Sequence, residues 1–419
     1  MTAPDGPLAP LREARFAWFY AARVVSTAGS AMAPVALTFA VLALTHSAAA
    51  LGLVLAGRTL PMVLFLLIGG VISDRFSRTT VLRAANFLSG ATQAVVAVLV
   101  ITGAANLWTL IALEALNGTL AAFTLPALQG IVPQLVRREQ LQSANALLSF
   151  SRSGLTIIGP TVAALLVASA GAGWALAADA LCWLAAALLI GRIDLPPIPR
   201  RTDASMLREL REGWTVFSGN TWLWAVVAGF GVMNAIQAGA WLTLGPSIAV
   251  GTFGARGWGL ILSAESAGLL VMTVVMLRVQ LRRPLLSGML GMLCFAGTLA
   301  VLGATPRVLP LTIASFISGA GIELFSIGWN VTMQENIDEA LLSRASSYDA
   351  LGSFVAIPVG QMLFGPLGEA FGDRPVILAG AGVYAVTVLL VLSSRSVRDM
   401  GRVVTPAEAP SELRIEAGS

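Results

Sequence analysis

From about residue 15 to residue 394 the chain alternates long apolar runs with short polar turns. The runs predict twelve helices, over about 15–43, 49–73, 79–103, 106–133, 143–169, 173–192, 220–249, 257–280, 285–304, 308–334, 347–371 and 375–394. A run of about 20 largely apolar residues, rising ~1.5 Å per residue, crosses roughly 30 Å of hydrocarbon. The predicted fold class is therefore an all-α polytopic membrane protein with twelve transmembrane helices.

The longest polar interruption, about 193 to 219, leaves six helices on each side. It opens with the helix-breaking "DLPPIPRR" and continues as "DASMLRELREGWTVF", where Leu207, Leu210, Trp214 and Phe217 recur at helical spacing. This predicts a six-helix bundle over 1–195, a linker over 196–219 and a second bundle over 220–395, with a tail over 396–419. The linker would carry an amphipathic helix lying on the membrane surface, or alternatively a helix that binds a partner. "VRREQLQSAN" and "NIDEALLSRA" share Glu139, Leu141 and Ser143 with Glu339, Leu341 and Ser343, as two pseudo-repeats would.

Composition agrees with the hydropathy pattern. Hydrophobic residues make up 56% of the 419 and charged residues only 11%, against roughly 25% charged in an ordinary soluble domain. All 26 basic residues are arginine, in short clusters between apolar runs, which speaks for membrane topology and against nucleic acid as a partner. Arg12, Arg15, Arg75, Arg78, Arg83, Arg137, Arg138, Arg192, Arg200, Arg201, Arg208, Arg211, Arg282, Arg283 and Arg344 fall on one side, with the tail arginines. Arg256, Arg307 and Arg374 fall on the other. The positive-inside rule then places both termini in the cytoplasm and the chain in the cytoplasmic membrane. Cys182 and Cys294 lie in apolar runs and predict neither a disulfide framework nor a zinc site. The first fifteen residues lack a secretory signal, so the first helix is expected to be retained.

Candidate chemistry lies where ionisable groups are expensive. A charge at the bilayer centre costs at least about 2.5–3.5 kcal/mol on insertion scales. Seven ionisable residues lie well inside the predicted spans, away from their ends: Arg23, Arg58, Glu114, Arg152, Asp179, Glu265 and Glu323. Glu323 leads a polar stripe with Ser326, Asn330 and Gln334, read as lining a central cavity; Asn234, Gln237 and Trp241 form another, and Asn86, Ser89 and Gln93 a third. Trp241 and Trp329 could stack on flat groups of a substrate.

Proton coupling needs a carboxyl that is neutral in one state and charged in another, since desolvation favours the neutral form and water or arginine the charged one. Glu323 is the first choice and Glu265 the second. Asp179 and Glu114 either serve the same role or pair with Arg58 to hold helices together. Arg23 and Arg152 either meet anionic groups of a substrate or neutralise a buried carboxylate, and Arg152 could equally well pack on a helix end. His46, in a short loop, is expected to be idle.

One turn carries a more specific pattern. "GGVISDRFSRTT", between the second and third helices, places Gly70, Asp74, Arg75 and Arg78 in the order of the loop signature of the major facilitator superfamily. The alternative is a set of stop-transfer charges. "LPALQGIVPQLVRREQLQSANALLSFSRSGLTIIGP" and "LFSIGWNVTMQENIDEALLSRASSYDALGSFVAIPVGQMLFGPLGEAFG" resemble the branch of enterobactin-type siderophore exporters and drug-efflux permeases. Gly154, Gly159 and Pro160 resemble the superfamily's antiporter motif, although Ala163-Ala164 stands where a glycine pair is usual. Gly360, Gly365 and Pro366 repeat the theme in the eleventh helix. The loop between helices eight and nine, "LRVQLRRPLL", lacks the acid of a second signature.

The resemblance implies two six-helix bundles rocking about a midplane site, a monomer, and a latch at Asp74 that closes the cytoplasmic side against the eleventh helix near Arg344 and Asp349. It implies export of a small amphiphile in exchange for protons, without a cofactor. Proton-coupled uptake is the competing transport reading, and a non-transporting membrane sensor the competitor from another class. Enzymatic readings find no support, with no Walker loop and no histidine–cysteine cluster in the sequence.

Overall fold

The computed structural model describes residues 8–75, 77–137, 140–193, 214–215, 217–276, 278–279, 281–337 and 339–401. Twelve of its helices are long and apolar enough to cross a membrane. They are α1 (Ala14–Thr45), α2 (Ala48–Arg75), α3 (Arg78–Ile101), α4 (Leu107–Leu135), α5 (Leu141–Ala170), α6 (Ala172–Ile190), α7 (Thr221–Gly251), α8 (Gly254–Met276), α9 (Pro284–Ala304), α10 (Val308–Asn336), α11 (Glu339–Phe371) and α12 (Asp373–Ser393). No strand occurs among the described residues. Most of the amphipathic linker helix expected over 196–219 lies outside them, as does the tail beyond 401.

Local chemistry sets the helix ends. Ser77 caps α3 by accepting from the Thr80 N–H at 3.2 Å, and Asn106 and Thr109 form a capping box at the start of α4. Gly171 and Gly372, at φ 97° and 87°, turn the chain into α6 and α12 in a region where a side chain would be strained. Two elements depart from expectation. α11 begins at Glu339, eight residues before its predicted start, because the polar "EALLSRAS" continues the helix beyond its apolar run. α7 widens into a π turn over Gln237–Leu244, where the Thr243 hydroxyl donates to the Ala238 carbonyl five residues back at 2.9 Å.

The helices pack as two sets with corresponding partners: α2 against α4 and α3 against α6 in the first, α8 against α10 and α9 against α12 in the second. The closest crossings correspond as well. Gly118 of α4 lies on the Arg58 carbonyl of α2, and Gly319 of α10 lies on the Glu265 carbonyl of α8; a Cβ at either glycine would collide with that oxygen. In hydrocarbon, where apolar side chains gain little by leaving lipid, such backbone approach is what binds helix to helix.

With twelve spans the start of α1 and the end of α12 share one face of the molecule, the terminal face. The bundles meet in the half of the spans distal to it. There α2 crosses α11, with Gly52 on the Gln361 carbonyl and Gly365 on the backbone of Ala48 and Ala49. α5 crosses α8, with Gly259 against Pro160 and Ala164. Met32, Val35, Phe39, Ala48, Ala163 and Ala164 join the second bundle's hydrophobic core across this seam. The hydrogen bonds joining described residues of the two bundles lie in the same half: Thr161 with Ser263 at 2.7 Å, and Ser47 and the Ala49 N–H donating to Glu369. Glu369 thereby caps the N-terminus of α2 from the other bundle.

Candidate functional site

At mid-depth between the bundles lies a cavity of about 380 Å³. The first bundle contributes Thr27, Ser30 and Pro34 of α1 and Thr156 and Pro160 of α5; the second contributes Gln237, Trp241 and Glu265. The π turn of α7 sets Gln237 and Trp241 on this wall, and Trp241 is fixed there by its packing on Trp258 and Phe295, with ring centroids at 4.8 and 5.9 Å. Glu265 is half-buried, and its Oε2 is enclosed without a hydrogen-bond partner. With Ser266 of α8 also on the wall, the cavity offers one carboxyl, one amide, four hydroxyls and an indole among apolar side chains, the composition of a site for an amphiphilic molecule.

Toward the terminal face a second cavity of about 330 Å³ shares Thr27 with the first. It is lined by Phe19, Arg23, Leu128, Val132, Asn145, Ser149, Ser151 and Arg152. Arg23 and Arg152 are near enough to repel one another, and neither pairs with an acid among the described residues. The Arg23 guanidinium reaches only Ser26 within its own helix, at 3.5 Å. Two guanidinium groups without counter-charges can receive a carboxylate, phenolate or carbonyl.

The remaining candidates are dispersed. Arg58 meets Glu114 at 3.5 Å, and Gln93 donates to Asp179 at 3.0 Å, all inside the first bundle. Glu323 accepts from Thr273 at 2.8 Å between α10 and α8, away from the central cavity. Asn234 donates to the Ser353 carbonyl at 3.0 Å, fastening α7 to α11, and Asn330 donates to Ser326 of its own helix at 2.8 Å. Trp329 is buried against Trp222 and Phe325, and its indole N–H donates to Asp349 at 2.9 Å. Gly159 packs on Ala31 of α1, while Gly154 has open space where its Cβ would be.

The latch motif is only partly visible. α2 runs on through Asp74 and Arg75 as helix, but the side chains around Gly70, Asp74, Arg75 and Arg344 lie outside the described residues. Arg78 begins α3, its Nε enclosed without a partner.

Sequence reasoning missed Thr27, Ser30 and Thr156 in the cavity wall and the Ser47–Glu369 clasp. Thr27, Ser30 and Pro34 do recur at helical spacing in an otherwise apolar helix, a signal that could have been read. Nothing local marks Ser47 and Glu369 as partners.

The enterobactin exporter EntS of Salmonella typhi is 25% identical over 392 residues, covering 92% of this chain and 89% of that protein. Macrolide efflux protein A of Streptococcus pyogenes is 27% identical over 216 residues, and there the match spans about half of each protein, 51% of this chain and 53% of the relative. Among solved structures, the nucleoside transporter NupG superposes with a TM-score of 0.72 at 14% identity, over 90% of this chain and 98% of that one. A bacterial homologue of the lysosomal transporter Spinster, in an inward-facing and occupied conformation, gives 0.72 at 13% identity over 95% and 99%. At such identities these likenesses show the fold alone. The profile of the family described as transmembrane secretion effector matches residues 5–412, and the chain belongs to that family, a membrane transporter of the major facilitator superfamily and not an enzyme.

Proposed function

We propose that the protein exports a small amphiphilic molecule, of the drug, antibiotic or siderophore kind, by alternating access in exchange for protons. The observation that carries this reading is the central cavity, which both bundles line and into which Glu265 brings a carboxyl that has no basic partner among the described residues and whose Oε2 is unbonded. Cargo would load past Arg23 and Arg152 from the terminal face, which the arginine distribution assigns to the cytoplasm. With its seam closed on the distal side, the structure corresponds in this reading to the inward-facing state. Glu265, better placed than Glu323, would bind the proton that cargo displaces, and relatives named for efflux support the outward direction. The protein would act as a monomer in the cytoplasmic membrane.

The test is transport in proteoliposomes under an imposed pH gradient, with enterobactin, a macrolide and a fluorescent amphiphilic dye as probes. Antiport predicts accumulation against the gradient of at least one probe, collapsing when an ionophore removes the pH difference. Accumulation that instead follows protons down their gradient would establish uptake, and no movement of any probe would favour the sensor.

The Asp74 loop would seal the terminal face when the distal side opens. Asp74→Asn is expected to insert and fold as the wild type does while export falls about tenfold or more, the loss of one charge-assisted bond worth about 1.5–3 kcal/mol from the outward-facing state. Undiminished export by this variant would remove the latch from the mechanism.

A further inference from the structure

The first bundle contains a polar cluster that the central cavity does not use. Glu114 of α4 and Asp179 of α6 are both fully buried, at 0% exposure. Gln93 of α3 and Asn117 of α4 are almost as enclosed. Arg58 of α2 is the cation of the group and its partly exposed member, with 35% of its side chain accessible. Around Asp179 stand Gly29 of α1, Arg58, Gln93 and Glu114, together with Cys182 and Trp183 of its own helix.

Charge does not balance here if both acids are ionised. One guanidinium faces two carboxyl groups in a region where an uncompensated charge costs several kcal/mol. Geometry indicates which acid is neutralised by the arginine: Glu114 is the partner of Arg58 at 3.5 Å, while Asp179 receives the Gln93 amide at 3.0 Å and the side chain of Trp183, both uncharged donors. The atoms left over point the same way. Asp179 Oδ1 and Gln93 Oε1 are both enclosed without a hydrogen-bond partner. As a carboxylate–amide pair they are two acceptors with no donor to share. A proton on Asp179 supplies the missing donor, since an acid O–H and an amide C=O complement the bond already made by the amide N–H and the acid. Gly29 leaves the room, for a Cβ there would stand 2.5 Å from Asp179 Oδ1.

We propose that Asp179 is a resident protonation site of the first bundle, a neutral carboxylic acid paired with Gln93 and kept apart from the Arg58–Glu114 ion pair. The chain then has two membrane-embedded proton-binding positions, one enclosed in the first bundle and one at Glu265 on the cavity wall. The first is a property of the folded protein and does not depend on whether the protein exports, imports or senses.

Infrared spectroscopy of the full chain in lipid nanodiscs near neutral pH reads it directly. In wild-type protein carrying ¹³C-labelled aspartate, a protonated-acid carbonyl band is expected to move to lower frequency. Asp179→Asn should abolish that band, Glu114→Gln should weaken it by handing Arg58 to Asp179, and Gln93→Leu should shift it by removing the amide. Should the substitutions prevent folding, the labelled wild type decides alone: absence of any aspartate-derived acid band overturns the proposal. A labelled band that persists unchanged in Asp179→Asn overturns it too, because the proton is then on another aspartate. A parallel count of protons exchanged per cargo in proteoliposomes bears on transport only, so a null result there leaves the infrared answer intact and counts against the antiport reading instead.

Discussion

Glu265→Gln is expected to abolish concentrative transport while leaving exchange of cargo across the membrane in place. Each proton exchanged under a one-unit pH difference supports about tenfold accumulation, the equivalent of ~1.4 kcal/mol. Glutamine fills the volume of the neutral acid but cannot release a proton, so the internal-to-external ratio should fall to about one whatever gradient is imposed. Because Glu265 Oε2 is enclosed without a partner, the exchange costs no hydrogen bond at that atom, and thermal stability should change little. Counterflow of labelled against unlabelled cargo separates coupling from passage, and it should persist. If Glu265→Gln keeps a wild-type pH profile, coupling belongs elsewhere, with Glu323 next in line; Glu323→Gln would then flatten the profile.

Gly365→Leu should displace the protein from its observed state. Gly365 lies on Ala48 and Ala49 where α11 crosses α2, and a side chain there meets backbone, which cannot rotate away. Overpacking of this kind costs about 1–3 kcal/mol and, applied to one state of two, shifts their populations about 5- to 150-fold. Spin labels at His46 and Phe371, both exposed beside the distal seam, would report it. The variant is expected to show a longer inter-label distance and to lose export. An unaltered distance distribution together with normal export would mean that the α2–α11 crossing does not separate during transport.

The number of helices, their order and the division into sixes were legible because the thickness of hydrocarbon imposes a length that composition reveals directly. How each helix is rotated was not. In lipid both faces of a span are apolar, so a polar stripe looks the same whether it lines a cavity or is satisfied inside a bundle. Spacing sets Asn234 and Trp329 among the substrate-facing residues, yet in the structure they tie α7 to α11 and α10 to α11. The polar stripe ranks Glu323 above Glu265, but spacing does not show that the Thr273 hydroxyl, fifty positions away in the chain, engages Glu323 outside the central cavity. The cost of a lone buried charge makes a pairing of Arg58 with Glu114 or Asp179 one of two sequence readings, but nothing in the spacing marks Gln93 as the partner of Asp179.

The paired crossings at Gly118 and Gly319 bear on where motion can occur. Each locks two coils backbone to backbone, with no intervening side chain whose torsions could absorb a shear. α2 with α4, and α8 with α10, therefore behave as stiff double struts. Bending must be taken up in the single rods that leave these struts, such as α1 at Pro34, α5 at Pro160 and the widened turn of α7, and these same three line the midplane cavity. The molecule is in effect a pair of braced levers whose compliant joints are also the walls that touch the load.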